Sequence, residues 1–269
     1  MNQITKSMFC EFIKVMKKTK HLFLLSAVLW VMTVSITAQA ANESIKLSND
    51  LELIKISENS YIHISYMEIP PWGRVPSNGL IYINKNKAYI FDTPGNDALT
   101  KILISWLKDS MKLEIEGVVV THWHDDRMGG LNEVHKYGIK SYSHKLTGEI
   151  AKSKNLPIPK VIFQDSSTLG DNNEIICKYL GAAHTVDNIV IWIPDEKILF
   201  GGCMIKELKA NSLGNIVDSD IDAWPKTLKT VRSEFSMAKI VIPGHGLYGG
   251  IELIDHTIDL LKEKKKQKS

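Results

Sequence analysis

Cysteine is scarce in this chain: there are three in 269 residues, at positions 10, 177 and 203. Beyond residue 40 that leaves at most one bridge. Long apolar runs are scarce too. After residue 40 none reaches the eighteen or so residues that a membrane span needs. There is no internal repeat and no low-complexity linker. Charge of one sign is also missing once the N-terminus is set aside. The whole chain carries 33 basic and 30 acidic residues. Five of the basic ones (Lys6, Lys14, Lys17, Lys18, Lys20) and only one acid (Glu11) fall in the first forty positions. Residues 41–269 therefore hold 28 basic and 29 acidic groups, a net charge of −1. A nucleic-acid partner loses its electrostatic footprint. A composition of 44% hydrophobic, 23% charged and 8% aromatic residues excludes a disordered or collagen-like chain.

What is present begins with an address. A basic start, an apolar run from Leu22 to Ile36 and then Ala38-Gln39-Ala40 describe a secretory signal peptide over residues 1–40. Left uncleaved, the segment would act as an N-terminal anchor. Cys10 sits before the apolar run, too early for a lipoprotein anchor. The expectation is export to the periplasm, with no stable membrane association after cleavage. Residues 41–269 are enough to bury a real core and read as one domain. No exposed apolar stripe stands out, so a monomer is expected.

Residues 44–67 alternate apolar and polar in short runs, which is strand periodicity. Residues 69–79 hold three prolines and two glycines and read as a loop. Leu80–Ile83 and Ala88–Phe91 read as a hairpin. Residues 96–111 fit a helix, with Leu99, Ile102, Leu103, Trp106 and Leu107 at helical spacing. Residues 116–121 form a β-branched run, so a buried strand. A last helix spans about residues 250–262 and ends in lysines that suit a helix C-terminus. Strands that alternate with helices predict an α/β layered sandwich.

The chemistry concentrates in Val120-Thr121-His122-Trp123-His124-Asp125-Asp126-Arg127. Two histidines two apart, with an acid two further on, follow directly on a strand. Imidazole and carboxylate are good zinc ligands, and at a strand end they can converge. Three later segments repeat the pattern of a ligand type in a loop after an apolar strand. They are Gly181-Ala182-Ala183-His184, Phe200-Gly201-Gly202-Cys203 and Pro243-Gly244-His245-Gly246. Cys177 lies in a strand-like run and reads as a buried free thiol, Cys203 as chemistry, though the count alone permits a bridge. Trp123, between two candidate ligands, should point away from them by strand alternation and pack in the core. His63, His135, His144 and His256 have no cluster spacing and read as surface or core residues.

In order and spacing, His122-x-His124-x-Asp126, His184, Cys203 and His245 resemble the metallo-β-lactamase superfamily. The likeness runs over essentially the whole chain after residue 40. It includes Asp92-Thr93-Pro94, Lys206 after Cys203, and Pro243-Gly244-His245-Gly246. It is similar to subclass B1 of the zinc β-lactamases. The second subclass has Asn at the His122 position and the third lacks the cysteine. Glyoxalase- and nuclease-type relatives carry His at the Arg127 position and a bridging Asp at the Cys203 position.

The resemblance implies a four-layer αβ/βα sandwich, two mixed β-sheets with helices on the outer faces. It implies two zinc ions, one on His122, His124 and His184, the other on Asp126, Cys203 and His245. It implies hydrolysis of a β-lactam ring by a zinc-bound hydroxide that Asp126 orients, with penicillins, cephalosporins and carbapenems as substrates and antibiotic resistance as the outcome. Lys206 would take the substrate carboxylate and Asn215 would approach the lactam carbonyl. Trp72 would sit on a flap over the groove. Asp92 and Arg127 would stand behind the ligands. A lactonase or thioesterase of the same superfamily is an alternative that Cys203 and Arg127 oppose. A non-catalytic zinc-binding protein is another, which needs none of Lys206, Asn215 and Trp72.

Overall fold

The computed structural model describes residues 44–267; residues 1–40, read from the sequence as a signal peptide, lie outside them. Eight strands form the first sheet in chain order: β1 (Ser44–Ser48), β2 (Leu51–Lys55), β3 (Ser60–Ile69), β4 (Gly73–Asn84), β5 (Lys87–Phe91), β6 (Glu114–Val120), β7 (Ser141–His144) and β8 (Val161–Phe163). Pairing is antiparallel as far as β5 and parallel from β5 to β8. The second sheet runs β13 (Ile240–Pro243), β12 (Ile198–Gly202), β11 (Ile189–Ile193), β10 (Ile175–Tyr179), β9 (Ser166–Leu169). Only β12 and β13 pair in parallel there. Both sheets are mixed, as the resemblance implies.

Strand alternation explains the layering. Leu80, Tyr82, Tyr89, Phe91 and Val119 of the first sheet meet Ile189, Ile191, Ile193, Ile198 and Phe200 of the second. The residues between them face outward. Ile81, Ala88, Ile90, Val118 and Val120 pack against Leu99, Leu103 and Ile104 of α1 (Asp97–Ser105) and Leu131 and Val134 of α3 (Leu131–Lys136). On the far side Val190, Leu199 and Val241 meet Trp224, Leu228 and Val231 of α5 (Trp224–Glu234) and Leu253, Ile254 and Leu261 of α6 (Glu252–Lys266). Three apolar interfaces separate four layers. Between α1 and α5 come α2 (Asp125–Met128), α3 and α4 (Lys145–Ser153). Asn96 caps α1, accepting from the Leu99 N–H at 2.9 Å, and a π-turn at Trp106–Ser110 extends it. Among the described residues no helix is long and apolar enough to cross a membrane.

One element departs from the sequence reading. Residues 69–79 are not a loop: β3 and β4 run on as a two-stranded arm, and the chain turns at Pro70–Trp72. Pro76 is tolerated because residues 73–79 pair with β3 alone; β5 joins β4 only from Leu80 onward. The last helix also runs four residues further than the reading, to Lys266.

Candidate metal centre

Strand ends supply the site. β5 ends at Phe91, and the next residue, Asp92, takes the left-handed conformation at φ 63°. Its buried carboxylate accepts from the Thr121 N–H at 2.7 Å and the Thr121 hydroxyl at 2.8 Å. This clamps the chain where β6 ends and presents His122. Burial pushes the Asp92 carboxyl up to about 7, against the pull of Arg127 and Thr121. The β10–β11 connection brings His184 to the same point, the end of β12 brings Cys203, and the end of β13 brings His245.

His122, His124 and His184 meet as a funnel of rings. Their centroids stand 5.0–5.1 Å apart, each pair edge to face. His124 Nδ1 and His184 Nε2 lie 3.2 Å apart. The buried His122 Nε2 has no hydrogen-bond partner. One nitrogen from each ring falls within 4.8 Å of the others. Burial, reinforced by the neighbouring rings, holds His122 well below the usual imidazole range; burial and Lys206 do the same to His184. Converging lone pairs with an orphaned buried nitrogen are what a cation would satisfy.

Asp126, Cys203 and His245 form a second group. Cys203 Sγ lies 3.5 Å from Asp126 Oδ2 and 3.3 Å from His245 Nε2, and those two lie 3.2 Å apart. His122 bridges the groups, one of its ring nitrogens also lying within 4.8 Å of Asp126 and Cys203. His245 directs Nδ1 to the Pro76 carbonyl at 2.7 Å, which turns Nε2 inward. Gly244 has to be glycine, since a Cβ there would lie 2.5 Å from Cys203 Sγ.

Arg127 is fully buried beneath this group. It reaches Asp126 at 2.7 Å, Cys203 at 3.1 Å and Asp92 at 3.3 Å, and donates to Ser77 and to the Gly244 carbonyl. Burial, the largest single influence, would raise the Asp126 carboxyl, but Arg127, His245 and His122 together outweigh it and hold the carboxyl well below its usual range. Burial likewise opposes charge on His245, yet Cys203 and Asp126 raise it to about 9.

The groups open into a groove of about 740 Å³. Trp72, Lys206 and Asn215 line it. Trp72 is 58% exposed at the arm's tip. The Lys206 ammonium lies 5.6 Å from the centre of the Trp224 ring, and burial lowers its pKa. Asn215 also does a turn's work, its side-chain oxygen accepting from the Val217 N–H at 3.1 Å.

Trp123 is a correction. Its ring sits 4.4 Å from that of His124 and lines the groove, with Lys154 Nζ 4.2 Å from its centre, although it also touches the core. Strand alternation fails there because β6 ends at Val120. Both cysteines after residue 40 are free and buried. His63 is a core histidine at the Asp92 carbonyl, which burial lowers to about 4. The sequence reading missed Asp218, which meets His124 Nε2 at 3.0 Å. It also missed Asn78, which donates to the Pro243 and Gly246 carbonyls around His245. No motif marks either residue; both act only through the tertiary fold.

Residues 72–245 match the sequence profile of the metallo-β-lactamase superfamily. The chain belongs to that superfamily. The metallo-β-lactamase type 2 of Bacteroides fragilis is 44% identical over 245 residues, 91% of this chain and 96% of that protein. The type 2 enzyme of Pseudomonas aeruginosa is 36% identical, over 82% of this chain and 89% of its own. The crystal structure of the DIM-1 metallo-β-lactamase superposes with a TM-score of 0.78 at 38% identity, over 80% of this chain and 98% of that one. Within the metallo-β-lactamases the chain falls in subclass B1.

Proposed function

We propose that this protein is an exported zinc β-lactamase that opens the lactam ring of penicillins, cephalosporins and carbapenems. The observation that carries the reading is the pair of unlike ligand groups at the floor of one groove that also holds a half-buried lysine and an exposed indole. A protein that only stored metal would need neither.

Zinc fits the residues present. Three imidazoles suit one ion, and a thiolate, a carboxylate and an imidazole suit a second. His122, His124 and His184 would hold the first, and Asp126, Cys203 and His245 the second. Bound there, zinc supplies an acidified water and a Lewis acid for the lactam. The rest falls to the chain. Lys206 attracts the substrate carboxylate as a point charge. Asn215 offers its amide to the lactam carbonyl. Trp72 covers apolar substituents and excludes water. The carboxylate of Asp126, kept ionised by Arg127, orients the attacking water and accepts its hydrogen bond. Asp92 and Arg127 hold these groups in place. The signal at residues 1–40 sends the chain to the periplasm, where it works as a monomer.

The test is spectrophotometric hydrolysis of one penicillin, one cephalosporin and one carbapenem by the mature protein, before and after chelation. The expected result is turnover of all three, lost with the metal and restored by zinc. A folded, zinc-loaded sample that cleaves only lactones or thioesters would overturn it.

A further inference from the structure

We propose that Arg74 is a positioning residue that latches the β3–β4 arm and sets the resting place of Trp72; this rests on the groove being the β-lactam site. In the arm Tyr66 opposes Pro76, Met67 opposes Val75, Glu68 opposes Arg74 and Ile69 opposes Gly73. Alternation puts Met67, Ile69 and Val75 on one face, and all three line the groove. Tyr66 and Arg74 fall on the other face. There the Arg74 guanidinium lies 3.7 Å from the centre of the Tyr66 ring. It donates to the Asn49 carbonyl at 2.7 Å and to Asp50 Oδ1 at 2.9 Å. Tyr66 continues the tie, donating from its hydroxyl to Glu52 at 2.6 Å and from its N–H to the Asp50 carbonyl at 3.0 Å.

One side chain, two residues from Trp72, thus joins the arm to the turn between β1 and β2. Tyr66 shares that task lower on the arm, while Arg74 is the tie nearer its tip. Asp50, Tyr66, Met67, Glu68, Arg74 and Asn96 border an open cleft of about 370 Å³ beside the arm, where packed side chains would otherwise restrain it. The Arg74–Asp50 ion pair is half-exposed and weak on its own. The ring stack and two hydrogen bonds from one guanidinium nitrogen act together; a lysine can donate the bonds but cannot lay a flat guanidinium on the Tyr66 ring. Without the latch the arm samples more positions. Trp72 then loses more freedom when it closes on substrate, so KM rises, while kcat, set at the metal centre, holds.

The test uses the zinc-loaded mature protein with Arg74→Met, Arg74→Lys, Trp72→Ala and the double variant Trp72→Ala/Arg74→Met. Without substrate, amide hydrogen exchange over residues 66–76 should quicken about tenfold in both Arg74 variants and stay unchanged in β6 and β12. KM for a penicillin with an aromatic side chain should rise about threefold in Arg74→Met at constant kcat. That rise should vanish in the Trp72→Ala background. Unchanged exchange in the arm, full protection in Arg74→Lys, or the same KM rise without Trp72 would each overturn the latch. If no β-lactam is hydrolysed at all, the functional reading falls, and the exchange measurement still decides whether Arg74 holds the arm.

Discussion

His122, His124 and His184 meet as imidazoles, two of which burial keeps neutral, whereas Asp126, Cys203 and His245 meet over a buried guanidinium. The first group needs only its fold: a clamp at Thr121, a loop after β10 and the Asp218 carboxylate behind His124. The second gathers acidic ligands in a site of low dielectric, which is costly without a partner. Arg127 is that partner, and it spans Asp126, Cys203 and Asp92 at once. The difference teaches that the first group is preformed by packing, while the second is preformed by charge.

Substitutions can break that contrast, and the largest effect should come from the residue that bridges both groups. His122→Ala is expected to cost about ten-thousandfold in turnover, because it removes nucleophile activation together with charge stabilisation. Steady-state kinetics at saturating zinc would check it, and a loss under tenfold would remove His122 from the centre. Next comes the support of the second group. Arg127→Leu strands the Asp126 and Asp92 carboxylates and should lower the unfolding free energy by about 3–5 kcal/mol, read by urea denaturation. A loss below about 1 kcal/mol would mean that the charge is balanced elsewhere.

Cys203→Ser should reduce turnover about 10- to 100-fold and leave one zinc bound. Full turnover with two zincs bound would show that Cys203 is no ligand. The smallest effect belongs to Asp218→Asn, which keeps an acceptor for His124 but not its charge. It should weaken zinc at the first group about tenfold by equilibrium dialysis, with the second group unaffected. An equal loss at both would erase the proposed independence.

Much of the centre was legible in the chain. His122, His124 and Asp126 follow one strand within five residues, and His184, Cys203 and His245 each follow another, so local pattern and superfamily resemblance reach the same six residues. The layers were legible for a similar reason: strands apolar on both faces must be covered twice. The arm was not. Its prolines and glycines read as a loop because the missing second neighbour that makes Pro76 harmless is a property of the sheet. Asp218 was invisible, 94 residues from His124. Trp123 was misjudged because β6 ends at Val120, so strand alternation does not extend to residue 123.

The contrast between the two ligand groups is tested most directly by calorimetric titration of the zinc-free mature protein with zinc, beside Cys203→Ser. Two binding events of unequal affinity are predicted, with the weaker one missing in the variant. A single event per chain, or loss of the tighter one in the variant, would contradict the account.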